Sequence, residues 1–346
     1  MGLLDHETNY FGLDIGSTAI RLVQLRASGA KSNLVTYGSV PVPAGLTTSD
    51  SQLDQDKVAG VIRQLVKDAR VSTKNVVAGL PSTSIFATVI TTPKLSHAEL
   101  AKAIKFQADQ YVPMALDQVK LDWSVVGAGA GDNELEVLLV AAPNTVAAKY
   151  ANILEKAGLE VVVLESNAMA VARAVVPPSE LAMIVLDIGN TTSDLTLMYQ
   201  NTPRLMRSIP VGGSVFVQSV AQNLGLDRTQ AEQFTYRFGL TQTKLEGQVL
   251  RAIKPSIDQL VGEIQKSSKF FLSRYEGTKL EKIVLTGSTS ALPELPVYLA
   301  TATGLPVEIG NAWINVAYPA GMQDKLMLAS SQYAAASGLA QRMFAQ

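Results

Sequence analysis

The chain predicts an α/β fold built from two related halves, with a small α+β segment inserted in the first. Three features predict it: a repeated Asp-x-Gly turn, strand and helix patterns that alternate throughout, and one stretch whose pattern breaks from its surroundings. The repeat is "LDIGST" at 13–18 and "LDIGNT" at 186–191, spaced by half the chain length. Each copy follows an apolar run and precedes an alternating one, which places it in a tight turn between two strands. A strand near 34–40 and a helix over 54–69 follow, the helix carrying Val58, Val61, Ile62, Leu65 and Val66 on one face.

The pattern breaks after Thr91. Ser96 and Glu99 form a capping box ahead of Leu100, Ile104, Ala108 and Tyr111 at helical spacing, and Pro113 ends that helix. Strands near 119–126 and 134–141 flank the exposed turn "GAGAGDN", and a helix capped by Asn144 runs to Gly158. Strands at 181–187, 194–199 and 204–209 then lead to the "VGG" turn at 211–213, which opens a helix. After it come a helix holding "QAEQF", a long helix from 256 to 275, the buried strand "KIVLTGS" and a small-residue helix around "AAASGLA". The reading assigns 1–90 with 160–180 to the first half, 91–159 to the insertion, and 181–346 to the second half, whose closing helix returns to the first.

Composition narrows the function. The length exceeds what one core usually serves. With 29 basic against 30 acidic residues the net charge is −1, so bulk electrostatics attracts neither nucleic acid nor anionic lipid. Cysteine is absent and the only two histidines are His6 and His97, which excludes disulfides, thiolate metal sites and imidazole clusters. Residues 1–9 lack a signal-peptide pattern, and no uncharged run reaches the roughly 20 apolar residues that span a bilayer. The expectation is a cytoplasmic protein that meets a membrane only through a partner.

A polyphosphate needs amides that approach closely, and glycine permits the approach. Gly16 and Gly189 fit, with Ser17, Thr18, Asn190 and Thr191 as side-chain donors. Asp14 and Asp187, each just before its glycine, are candidates to face Mg²⁺ from opposite sides of one ATP, mostly through water. One such turn is ordinary; two at matched positions point to phosphate.

The paired "DIG" turns together with "VLTGS" resemble the actin, Hsp70 and sugar-kinase superfamily, whose fold is a duplicated, ribonuclease H-like pair of domains around a nucleotide. Within it, "FGLDIGSTAIRLVQL", "ELAKAIKFQADQYVP", "IPVGGSVFVQSVA" and "QLVGEIQKSSKFF" resemble the PilM family of type IV pilus assembly proteins, itself similar to FtsA. The resemblance implies that Gly212 and Gly213 border the phosphates, Glu232 lies near the ribose, Gly287 and Ser288 touch the adenosine, and Glu165 helps arrange the metal waters. Two positions depart from the pattern: Ser288 stands in place of a second glycine, and Thr235 in place of a lysine. The resemblance also implies a partner, the amino-terminal cytoplasmic tail of PilN, held in a groove beside the insertion. Phe106, off the apolar stripe of its helix, is a candidate contact for that tail.

These readings favour an ATP-binding scaffold with at most slow hydrolysis, since no residue is placed as a strong general base. A small-molecule kinase would need a carboxylate base that no motif places. An FtsA-like filament former usually ends in an amphipathic membrane helix, and "LAQRMFAQ" is short and weakly charged for one. Self-association is left open by the sequence.

Overall fold

The computed structural model describes residues 9–28, 31–129 and 131–342. The reading of the amino terminus around His6, and the last four residues of "LAQRMFAQ", lie outside them. Alternating strands β1 (Phe11–Ile15), β2 (Ala19–Ser28) and β3 (Lys31–Pro41) form an antiparallel meander, followed by helix α1 (Gln52–Asp68) and strand β4 (Asn75–Leu80). Helix α1 buries Val58, Ile62 and Leu65 of the stripe its spacing predicts, together with Ala59, while Val61 and Val66 are half-buried. Next come β5 (Phe86–Pro93), α2 (His97–Tyr111), β6 (Val119–Ala128) and β7 (Glu134–Pro143). The Ser96/Glu99 capping box starts α2, with both reciprocal bonds made. The chain continues through α3 (Asn144–Lys156), β8 (Glu160–Ser166) and α4 (Asn167–Val175).

A second meander follows: β9 (Ala182–Ile188), β10 (Ser193–Tyr199) and β11 (Thr202–Ile209). Helices α5 (Gly213–Leu224), α6 (Arg228–Phe238) and α7 (Gln248–Arg274) lead to β12 (Leu280–Thr286), α8 (Leu295–Thr303) and β13 (Val307–Ile309). Strand β14 (Val316–Ala317) and helices α9 (Gln323–Ala329) and α10 (Ala334–Ala340) close the chain. Helix α7 begins two turns before the sequence reading placed it and carries Pro255 inside. Proline normally breaks a helix by losing a donor and crowding the preceding turn. Here Val249, Ala252 and Ile253 are buried and anchor the turns ahead of it.

The chain forms two compact units. The first comprises 1–81, 145–174 and 311–346, and the second 82–144 and 175–310. The first holds a six-stranded sheet of order β14-β3-β2-β1-β4-β8. Its strand β1 pairs antiparallel with β2 and parallel with β4. Helix α10 lies directly on it: a Cβ on Gly12 would press on the Ala336 and Ala340 backbone, and one on Gly338 on the Ala170 carbonyl. Small residues fill this helix because its backbone approaches both β1 and α4 too closely for anything larger.

The second unit holds a five-stranded sheet of order β11-β10-β9-β12-β13 and a three-stranded one of order β5-β7-β6. The five-stranded order repeats β3-β2-β1-β4-β8 of the first unit, with the same antiparallel start and parallel finish. The duplicated hairpin is thus part of a duplicated sheet. Ile184, Leu186, Phe216, Ile253, Leu260 and Leu285 are among the core residues between that sheet and its helices. Helix α2 packs on the three-stranded sheet through Leu100, Ile104 and Ala108. Tyr111, expected on that stripe, is the final residue of the helix and is 47% exposed.

Within the second unit a buried ionic knot ties the small sheet to the larger one. Glu136 of β7 accepts from Arg204 Nη1 at 2.6 Å and from Arg274 Nη2 at 2.9 Å, and the Tyr275 hydroxyl lies 2.9 Å from both of its oxygens.

Candidate functional site: the two Asp-x-Gly hairpins

Both hairpins close the same way. The Gly16 N–H donates to the Ala19 carbonyl at 3.1 Å, and the Gly189 N–H to the Thr192 carbonyl at 2.9 Å. Among the described residues, the backbone amides of Asn190 and Thr191 at the second tip have no backbone acceptor, which suits them to an anion.

In the second unit several predicted residues converge on that tip. The Gly213 N–H donates to the Gly189 carbonyl at 3.0 Å and the Ser214 N–H to the Asn190 carbonyl at 2.7 Å, so the start of α5 is capped by the hairpin rather than by a side chain. A Cβ on Gly212 would lie 2.7 Å from the Asn190 carbonyl oxygen, and one on Gly213 would lie 2.6 Å from both Thr289 Oγ1 and the Tyr236 hydroxyl. Gly287, at φ +94°, turns the chain back over Asp187 and Ile188 where no side chain fits. Thr289, next to Ser288, locks this turn to the hairpin: its hydroxyl donates to the Gly189 carbonyl at 2.9 Å and its N–H to the Ile188 carbonyl at 3.0 Å. Sequence reasoning passed over Thr289, although it directly follows the "GS" pair.

Glu232 is exposed on α6, one turn ahead of Tyr236 on the same helix face. Thr235 is fully buried and its hydroxyl donates to the Ala231 carbonyl at 2.7 Å, so this position faces the core of the unit.

In the first unit Asp14 is 8% exposed and accepts a hydrogen bond from Asn167 Nδ2 at 3.3 Å. Burial pushes its carboxyl above the usual carboxylate range; the Arg21 guanidinium and the Asn167 amide pull the other way. Tyr150 is pushed up to about 12, first by burial and then by the charge of Asp14. Asn167 Oδ1 is buried without a hydrogen-bond partner, and Gly79 leaves the space it occupies. Asn167 is another residue the sequence did not reveal.

Glu165 is buried on β8 and paired to Arg173 and Arg342, the latter at 2.8 Å, so any metal water it arranged would compete with two guanidiniums. Phe106 is 81% exposed on α2. The Asn144 amide donates to the Asp117 carbonyl at 2.8 Å.

Glycines that only backbone can approach, unpaired amides at a hairpin tip and carboxylates one residue before each turn fit a phosphate with a hard cation. A duplicated sheet with such a hairpin at the same place in each copy defines the actin-like class of α/β proteins. The profile of the family described as type IV pilus assembly protein PilM matches residues 12–344, and the chain belongs to that family.

The solved PilM–PilN type IV pilus biogenesis complex is similar at 27% identity with a TM-score of 0.82, over 96% of this chain and 98% of that one. The cell division protein FtsA of Neisseria meningitidis serogroup B is 25% identical, over 89% of this chain and 86% of that protein. MreB5 of Spiroplasma citri, solved bound to AMPPNP, shares the fold at 11% identity with a TM-score of 0.54, over 97% and 95% of the two chains. Among the described residues no helix is long and apolar enough to cross a membrane.

Proposed function

We propose that this chain is an ATP-binding assembly factor of the type IV pilus inner-membrane machinery, working on the cytoplasmic side, with the amino-terminal tail of a PilN-type membrane protein as its ligand. The observation that carries the reading is the likeness to the PilM–PilN complex, which runs over almost the whole of both chains at a sequence identity that speaks for more than the fold.

Nucleotide is the ligand of the hairpins. Gly16, Ser17 and Thr18, with Gly189, Asn190, Thr191, Gly212 and Gly213, are the phosphate donors. Gly287, Ser288 and Glu232 serve the nucleoside, and Asp14 and Asp187 serve Mg²⁺. The cation neutralises phosphate charge; the protein supplies close-approach backbone and fixed donors. Within the second unit, the hydrogen bonds from Gly213, Ser214 and Thr289 to the hairpin hold that tip in one shape, so an anion there meets donors that need no reorganisation.

The three-stranded sheet with α2 is the part that receives the tail, with the 81% exposed Phe106 as an apolar contact. Nucleotide can alter tail affinity only by as much as it prefers the tail-competent state. Titrating a synthetic PilN-type tail into the full chain with and without ATP·Mg tests the reading. Tighter binding with nucleotide, weakened by F106A, is expected. No tail binding under either condition rejects the partner, and no retention of ATP rejects the ligand.

A further inference from the structure

Each glycine hairpin has its glycine carbonyl held by a threonine from elsewhere in its own unit. In the second unit the Thr289 hydroxyl donates to the Gly189 carbonyl at 2.9 Å, and the Gly213 N–H adds a second bond at 3.0 Å. In the first unit the Thr47 hydroxyl donates to the Gly16 carbonyl at 3.2 Å. Among the described residues this is the only hydrogen bond that carbonyl receives. The two threonines come from unrelated places: Thr289 follows β12, whereas Thr47 lies in the loop between β3 and α1. The copies reach one arrangement by different routes, and the first depends on a single side chain.

What that bond controls follows from peptide geometry. A trans peptide is planar, so the carbonyl of one residue and the N–H of the next point in opposite directions. Fixing the Gly16 carbonyl toward Thr47 therefore turns the Ser17 N–H to the other side of the turn. Neither the Ser17 nor the Thr18 amide has an acceptor among the described residues. A carbonyl rotated the other way would present an oxygen where an anion needs a donor. Donors fixed in advance cost no reorganisation when the anion arrives.

A hydroxyl positions a peptide only when its own backbone is fixed, and Thr47, 4% exposed, meets that condition. The Val42 N–H donates to the Thr18 carbonyl at 2.9 Å, so the loop starts on the hairpin itself. Inside the loop the Leu46 N–H reaches the Pro43 carbonyl at 3.2 Å and the Ser49 N–H the Gly45 carbonyl at 3.1 Å. Lys149 of α3 secures its far end: Nζ donates to the Thr48 carbonyl at 3.2 Å and to Asp50 Oδ1 at 2.8 Å.

We propose that Thr47 is a positioning residue for phosphate: its hydroxyl fixes the Gly16 peptide and so aims the Ser17 amide at the ligand, while Lys149 holds the loop that carries it. The proposal rests on the reading of the hairpins as a phosphate site given above.

Calorimetric titration of the full chain with ATP·Mg tests it. T47V keeps the shape of the side chain and removes the donor; ATP should bind about tenfold more weakly, the scale of one hydrogen bond to a charged group. T47S restores the hydroxyl and should bind within about twofold of the parent. K149M leaves Thr47 intact but loosens its loop, and a loss of about two- to fivefold is expected, the scale of a part-exposed ion pair. Circular dichroism checks that each variant is folded. Parent affinity in T47V, or a loss in T47S equal to that in T47V, overturns the proposal and leaves the ATP reading standing. If T47V does not fold, parent affinity in K149M overturns it instead. A parent that retains no ATP rejects the ligand reading and the proposal with it.

Discussion

Changing Glu136 to Gln isolates what the buried ionic knot contributes to the second unit. The substitution keeps the shape but removes the charge that Arg204 and Arg274 share, and it turns an amide toward guanidinium donors. Glu136 is 7% exposed at its side chain, Arg204 1% and Arg274 30%. Its carboxylate accepts from Arg204 Nη1 at 2.6 Å and from Arg274 Nε at 3.1 Å and Nη2 at 2.9 Å. Two charge-assisted partners at about 1.5–3 kcal/mol each give a loss of about 3–6 kcal/mol. Breaking a buried pair by removing one partner costs about 3–5 kcal/mol by a separate route. Arg274 can regain water and Arg204 cannot, so the lower half of the overlap applies, about 3–4 kcal/mol. Urea unfolding followed by circular dichroism measures it, with amide exchange on β5 and β7 showing whether the small sheet loosens first. A loss below about 1 kcal/mol refutes the reasoning, because it would mean the knot contributes no more than an exposed ion pair.

Other outcomes follow from the same geometry. Asp14 has its folded carboxyl raised by burial, so the fold holds that proton more tightly than the unfolded chain does. Its contribution is present at low pH and lost as pH rises through the folded value. D14N should therefore flatten this fall in a pH series of urea midpoints and, on the proposed function, weaken Mg·ATP at least tenfold. G287A forces a side chain into a left-handed turn at about 1–2 kcal/mol and against the Ile188 and Asp187 atoms at about 1–3 kcal/mol; a loss of about 2–5 kcal/mol in thermal or urea unfolding is expected. Tyr275 is pushed up to about 12, chiefly by burial and then by Glu136. Its share of stability should hold below pH 10 and drain between pH 10 and 12, and Y275F should lose less than the parent across that window.

The sequence made the fold legible where the signal is local and periodic. The repeated turn lay within short alternating runs, and the α1 and α2 stripes match the buried residues at Val58, Ile62, Leu100 and Ile104. It was misleading where a local rule competes with burial. The sequence reading starts the long helix at 256, directly after Pro255. Apolar anchors at Val249 and Ile253 nonetheless carry α7 through it. Helix α10 was visible as a run of small residues, but the reason for them, the Gly12 and Gly338 approaches, lies in chain segments far away in sequence.

The site divides along the same line. Glycine turns announce themselves because their backbone needs are met within four or five residues. Asn167, Thr289 and Asp194 gain their surroundings from elsewhere: Asn167 meets Asp14 through sheet packing, and Asp194 meets Asp187 and Ser208 only through cross-strand register. The matched positions also conceal a difference. "LDIG" in both copies suggests two equal aspartates, yet the residue opposite Asp14 is Arg21 and the residue opposite Asp187 is Asp194. An aspartate beside a guanidinium has an opposite charge for a neighbour, whereas one beside a second carboxylate has a like charge. The neighbours differ, yet burial is the largest influence on both Asp14 and Asp194 and raises each carboxyl. D14N and D194N should therefore each hold or raise the urea midpoint at neutral pH, measured without nucleotide or divalent ion; a fall in D14N alone would show that the Arg21 neighbour outweighs burial at the first hairpin.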